Sequence, residues 1–147
     1  MQRILVTGGL GFIGSHTSLL LIEKGYEILI VDSLVNSSIK TLERIKKIID
    51  IKYPKKKNNL IFFKGDLRDE SFIRGIFFNQ NKKGKPITGV IHFAGLKAIN
   101  ESIKEPLKYW DFNLISTINL LNAMNLFECS TIVFSSSAAV YGLSNMD

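Results

Sequence analysis

The chain has 147 residues, enough for one domain with a packed core, and its 46% hydrophobic and 22% charged residues exclude a disordered or fibrous protein. A single cysteine, Cys129, excludes an internal disulfide and a cysteine-built metal centre, so no metal site is expected. The net charge of +6 gathers at Lys52, Lys55, Lys56 and Lys57 and at Lys82, Lys83 and Lys85, in stretches that read as solvated loops, against a nucleic-acid or membrane surface.

The first element is RILVT, residues 3 to 7, a short apolar strand that runs into Gly8. Glycines interrupt this N-terminal stretch where a signal peptide needs an unbroken apolar core, and no run reaches spanning length, so a soluble protein in a reducing cytoplasm is expected. Residues 12 to 24 carry helical spacing through Ile13, Thr17, Leu20 and Leu21, Gly25 stops the helix, and EILIVD, residues 27 to 32, is a second strand. A helix from Ser38 to about Ile51 follows, ended by Pro54 and the lysine run. LIFFKGD at 60 to 66 is strand three, SFIRGIFFNQ at 71 to 80 helix three, and GVIHFAG at 89 to 95 strand four. Pro106 opens a long helix to residue 126 through Leu107, Trp110, Leu114, Ile118, Leu121 and Met124, and TIVFSSS at 131 to 137 is strand five. Strands apolar on both faces, alternating with helices, predict the α/β class with a doubly wound parallel (Rossmann) sheet.

TGGLGFIGSH sets Gly8, Gly11 and Gly14 between the first strand and the first helix. Gly8 permits a sharp turn, Gly11 lets the backbone approach a pyrophosphate, and Gly14 lets the helix pack closely on the strand. The anion is expected at the helix N-terminus. Asp32 closes the second strand about twenty residues later, where a carboxylate accepts hydrogen bonds from an adenosine ribose. It repels a 2′-phosphate, and residues 33 to 42 hold no arginine to receive one, so NAD is favoured over NADP.

The glycine loop, followed by VDSLVNS, resembles the extended short-chain dehydrogenases that act on nucleotide sugars. HFAGLKAINES, EPLKYW and FSSSAAVYG narrow the resemblance to the UDP-glucose 4-epimerase family, along the whole chain. The resemblance implies that Phe12 and Ile13 join the glycines around the pyrophosphate, and that Asp32, Asn36 and Ser37 meet the adenosine ribose and phosphate. Ser33 stands where the family commonly has asparagine. Asp66 and Leu67 would flank the adenine; from the residues alone they read as a solvated turn. Phe93, Ala94, Gly95 and Lys97 would run along the cofactor at the point where strand order reverses, and Asn113 would hold the inner face of the site. Any of Ser135, Ser136 and Ser137 could be a plain strand-end residue; the resemblance selects Ser137 as the hydroxyl that meets the reacting C4 oxygen of the sugar.

The implied reaction is epimerisation of UDP-galactose and UDP-glucose at C4. Hydride passes to bound NAD and returns to the opposite face of a 4-keto sugar. The family's base is a tyrosine assisted by a lysine four residues later, whose charge lowers a phenol pKa that is otherwise about 10. In this chain Tyr26, Tyr109 and Tyr141 are followed at that distance by Ile30, Asn113 and Asn145. Only Tyr53 and Lys57 fit, and Pro54 and their place before strand three mark them as a coincidence. The resemblance therefore predicts a truncated chain. It would be the NAD-binding domain, incomplete over residues 1 to 147, of a parent enzyme expected to be homodimeric in the family pattern, with the catalytic pair, a sixth strand and the substrate domain beyond Asp147. An apolar open edge at strand five, self-association and an inactive fragment are expected. Two alternatives stay open: another nucleotide-sugar epimerase or dehydratase of the same superfamily, against which GLKAINES argues, and a non-catalytic NAD-binding module.

Overall fold

The computed structural model describes residues 2–137 and 140. Five strands, β1 (Arg3–Thr7), β2 (Glu27–Asp32), β3 (Leu60–Lys64), β4 (Gly89–His92) and β5 (Ile132–Phe134), form one parallel sheet in the order β3-β2-β1-β4-β5. The order reverses between β1 and β4, as the doubly wound reading requires. Register aligns Thr7 with Val31 and His92, Asp32 with Lys64, and His92 with Phe134, so these side chains end the strands at one carboxyl edge.

Alternation along each strand divides the core in two. Leu5, Leu29, Val31 and Val90 point to the face covered by α3 (Glu70–Lys82) and α6 (Ser116–Leu126), where Phe77, Leu120 and Met124 pack on them. Val6, Ile28 and Ile30 point to the opposite face, covered by α1 (Phe12–Glu23) and α2 (Ile39–Lys52) with Ile22, Leu42, Ile45 and Ile49. Residues Ile28 to Val31 are all buried, which explains why β2 reads as a continuous apolar run.

Local chemistry sets the helix ends. Gly25 takes a left-handed φ of 95°, and Tyr26 N–H bonds back to the Leu21 carbonyl at 3.0 Å, closing α1 one residue before its expected end. Asp69 caps α3 by accepting from Phe72 N–H at 3.0 Å. The stretch after α2 is not a loop: Pro54–Asn59 forms a short 3-10 helix holding Lys55, Lys56 and Lys57, with Lys56 donating to the Glu23 carbonyl at 2.6 Å.

The long helix runs from Pro106 to Leu126 as expected, built of α5 (Pro106–Trp110), a π-helical turn (Asp111–Ile115) that the spacing does not show, and α6; a short α4 (Ile99–Lys104) precedes it. Glu105 breaks the junction of α4 and α5 at φ −128°, ψ 59°, because a residue before proline is pushed out of the helical region. The sheet-facing stripe of α6 is Ser116, Asn119, Leu120, Ala123 and Met124. Leu107, Trp110, Leu114, Ile118 and Leu121 point outward and are exposed. β5 lies at the sheet edge with Val133 and Phe134 more than half exposed, as expected of an apolar edge. Strands β3, β4 and β5 are shorter than the expected segments, whose last residues belong to the loops that build the site.

Candidate functional site

A cleft of about 310 Å³ opens at the carboxyl edge, over the reversal between β1 and β4. Its floor is the glycine loop. Gly8 is left-handed, at φ 64°, and its N–H donates to the Val31 carbonyl at 2.8 Å, which turns the chain out of the sheet. Gly11 precedes α1 with no side-chain cap, and the first helical bond runs from Ser15 N–H to the Gly11 carbonyl at 2.9 Å. The N–H groups of Phe12, Ile13 and Gly14 therefore have no partner within the helix, and all three residues line the cleft. A methyl group on Gly14 would lie 2.4 Å from the Gly8 carbonyl oxygen and 2.8 Å from the Gly9 Cα, so helix and loop touch backbone to backbone. Phe12 and Ile13 are 82% and 58% exposed, an apolar rim where the helix begins.

Asp32, buried at the end of β2, holds the two sides of the cleft together. One carboxylate oxygen accepts from Leu10 N–H at 3.0 Å in the glycine loop. The other accepts from Leu34 N–H at 2.9 Å and from the Ser37 hydroxyl at 2.7 Å. The loop between β2 and α2 wraps around this carboxylate, with Leu34 left-handed at φ 64° and its side chain packed into the α1–α2 core. Asn36 and Ser33 line the cleft. Ser37 sits behind Asp32 and braces it without lining the cleft, a different position from the one expected.

The wall beyond β3 is Gly65, Asp66 and Leu67. Arg68 bonds Asp66 through its backbone N–H at 2.9 Å and its guanidinium at 2.7 to 3.1 Å, holding the Asp66 carboxyl below the ordinary carboxylate range. The same guanidinium pairs with Asp111 and lies 3.6 Å over the Phe112 ring, and the buried Asn119 amide donates to the Leu67 and Arg68 carbonyls at 3.1 and 2.9 Å. Arg68 thus fastens this turn to the π turn, and Asn119 fastens it to α6.

Opposite stand Phe93, Ala94, Gly95, Leu96 and Lys97. Asn113 clasps this segment, accepting from Leu96 N–H at 2.7 Å and donating to the Leu96 carbonyl at 3.1 Å. Asn113 does not line the cleft itself; it supports residues that do. Ser135 lines the cleft, whereas Ser137 is exposed outside the lining and its carbonyl accepts from Val140 N–H at 3.2 Å. Tyr141 and Asn145 lie outside the described residues.

Sequence reasoning missed Phe112 and Ser116, which the π turn delivers to the cleft, and Val31, Val35 and Gly65. The coincidental pair is placed as expected: Tyr53 caps α2 before β3, and burial and then Glu23 raise its phenol pKa, the opposite of what a base needs. No helix among the described residues is long and apolar enough to cross a membrane.

A parallel sheet with its strand order reversed beneath an uncapped glycine-loop helix and an acidic strand end defines a Rossmann-type α/β protein. Residues 5–146 match the family model described as GDP-mannose 4,6 dehydratase, and the chain belongs to that family. It is 48% identical over 139 residues to a UDP-glucose 4-epimerase of Schizosaccharomyces pombe, covering 95% of this chain and 36% of that protein. It is 46% identical over 142 residues to a UDP-glucose 4-epimerase of Neisseria meningitidis serogroup B, covering 97% and 38%. Among solved structures, the UDP-glucose 4-epimerase from Bifidobacterium longum in complex with NAD+ and UDP superposes with a TM-score of 0.84 at 43% identity, over 96% of this chain and 38% of that one. The enzyme from Stenotrophomonas maltophila with bound NAD and formylated UDP-arabinopyranose gives 0.85 at 39% identity, over 99% and 40%. The chain thus spans well under half the length of these relatives.

Proposed function

We propose that this chain is the NAD-binding part of a UDP-glucose/UDP-galactose 4-epimerase. The observation that carries the reading is the uncapped glycine-loop helix, tied through Leu10 N–H to the buried Asp32 carboxylate at the end of β2. These residues fit a dinucleotide. Phe12, Ile13 and Gly14 N–H groups would hold the pyrophosphate, with the positive end of the α1 dipole behind them. Asp32 offers four acceptor positions, three already used by Leu10, Leu34 and Ser37, which leaves one for a ribose hydroxyl. Asn36 would complete the adenosine side. The Asp66 carboxylate, kept ionised by Arg68, would accept from an adenine amine beside Leu67. Lys97 supplies a cation on the nicotinamide side, along Phe93, Ala94 and Gly95.

When bound, NAD supplies reversible hydride acceptance at the sugar C4 carbon. The chain's own contribution is to fix the plane of that exchange. The Ala94–Lys97 segment would hold the cofactor's inner half, and Ser137, past the end of β5, would hydrogen-bond the C4 oxygen of the sugar. The chain carries a tyrosine and lysine four apart only at Tyr53 and Lys57, and so would bind NAD without turnover on its own. Isomerase activity, the UDP-sugar substrates and a cytoplasmic setting belong to the whole protein. Its homodimeric assembly is supported by the exposed apolar stripe from Leu107 to Leu121.

Calorimetric titration with NAD, together with an assay of UDP-galactose turnover, tests this reading. One-to-one NAD binding with no epimerisation is the expected outcome. Epimerisation by the 147-residue chain would remove the need for a tyrosine–lysine pair, and absence of NAD binding would remove the cofactor assignment.

A further inference from the structure

The cleft wall conceals a histidine to which the cofactor reading gives no role. His92 ends β4, is 1% exposed, and meets a hydroxyl at each ring nitrogen: Thr7 Oγ1 at 2.5 Å from Nδ1 and Thr117 Oγ1 at 3.0 Å from Nε2. The second bonds of those hydroxyls settle the direction of the chain. Thr117 donates its only hydrogen to the Asn113 carbonyl at 2.7 Å, so toward the ring its oxygen accepts, and Nε2 carries the proton. Nδ1 is then an acceptor and takes the Thr7 hydrogen. Thr7 Oγ1 in turn accepts from Ala94 N–H at 3.4 Å. Burial, and then the charge of Lys97, lower the imidazole pKa to about 4, so the ring is neutral near pH 7.

Both ends of this chain of bonds reach the Ala94–Lys97 segment. One end is Ala94 N–H; the other is Asn113, whose side-chain amide clasps both backbone groups of Leu96. Thr117 bonding back to the Asn113 carbonyl is also the kind of contact that disturbs regular helical bonding, in keeping with the π turn that ends two residues earlier. The Phe134 ring, centred 5.5 Å from the imidazole, closes the remaining side.

We propose that His92, as the neutral Nε2–H tautomer, is a positioning residue that locks the ends of β1 and β4 to the π turn and so sets the Ala94–Lys97 segment against the inner half of a bound dinucleotide. The proposal rests on the NAD reading above. It predicts a split between ligands: NAD engages both halves of the cleft, whereas AMP reaches only the adenosine half, at the glycine loop, Asp32, Asn36 and the Asp66–Leu67 turn, and not the Ala94–Lys97 segment. For His92→Phe, which keeps the ring volume and removes both bonds, the NAD Kd rises tenfold or more while the AMP Kd changes less than twofold. Thr117→Val, nearly isosteric, gives a smaller loss of the same kind, and the double variant loses no more than His92→Phe alone.

The deciding experiment is NAD and AMP titration of the wild-type chain and these variants, with 15N imidazole spectra of the wild type at pH 7 and pH 6. A ring protonated on Nε2 alone, with the NAD-specific loss, upholds the proposal. An Nδ1–H tautomer, an imidazolium at pH 6, equal weakening of NAD and AMP, or unchanged NAD affinity overturns it. Should His92→Phe fail to fold, Thr117→Val decides, and an unchanged NAD Kd in that variant overturns the proposal. A wild-type chain that binds no NAD refutes the cofactor reading itself, and the proposal with it.

Discussion

Gly14→Ala is the most direct strain that a single methyl group can place on the glycine loop. The added carbon would sit 2.4 Å from the Gly8 carbonyl oxygen and 2.8 Å from the Gly9 Cα, about 1 Å inside ordinary contact. Both atoms are backbone, so no side chain can swing aside, and α1 must move off the loop by roughly that distance. Overpacking of this kind costs about 1–3 kcal/mol of stability. The same displacement lengthens the bonds from Phe12, Ile13 and Gly14 N–H groups to a bound pyrophosphate. Charge-assisted bonds contribute about 1.5–3 kcal/mol each, so weakening one or two raises the NAD Kd by about 10- to 100-fold or more. Gly75→Ala is the control, because nothing lies within 4 Å of its added methyl and it sits inside α3. That variant is expected to gain about 0.5–1 kcal/mol with unchanged NAD affinity. Thermal unfolding by circular dichroism and calorimetric titration read both quantities. A Gly14→Ala chain as stable as wild type and binding NAD within twofold would refute the packing argument.

Asp32→Asn puts an amide N–H₂ against one of the three donors that converge there, and should cost about 1–3 kcal/mol in denaturant unfolding while weakening NAD binding. Asn119→Ala strips the donor from the Leu67 and Arg68 carbonyls, with a similar loss of stability and a looser adenine wall, seen as faster amide exchange at Arg68. The pH dependence of stability carries the signature of His92. Its folded pKa, about 4, lies below the ordinary 6.5, so between those values the unfolded chain takes up a proton that the folded chain refuses. Stability from this group is therefore undiminished above pH 6.5 and falls as pH drops toward 4, by about 3 kcal/mol in all at 1.36 kcal/mol per pKa unit. Asp66 and Glu27, whose pKa values are lowered in the fold, also lose stability on acidification, but only as pH falls below their unfolded values. The slope between pH 6.5 and pH 5 is thus the histidine's, and His92→Phe should flatten it.

The strands and the glycine turn were legible because their signals are local. Two-residue alternation assigns Leu5 and Val6 to opposite faces, and Gly8, Gly11 and Gly14 stand where a strand meets a helix. Asp32 ends β2 where the sequence places it, though the sequence did not show that its carboxylate ties two loops together. The helix from residue 106 to residue 126 was legible, but the π turn inside it was not. Its apolar spacing is regular through the turn, where Asn113 bonds Leu96 and Thr117 bonds the Asn113 carbonyl, contacts that no periodicity carries. The same turn brings Phe112 and Ser116 into the cleft, so one irregularity concealed two lining residues. Ser37 and Asn113, expected to contact the cofactor, stand behind the cleft lining instead, bonded to Asp32 and Leu96.

In the proposed NAD site, Asp32 would repel a 2′-phosphate on the adenosine ribose. Calorimetric titration of the 147-residue chain with NAD and with NADP, side by side, tests it most directly. One NAD site and an NADP affinity at least tenfold weaker are expected. Equal affinities, or binding of neither dinucleotide by a folded chain, would contradict it.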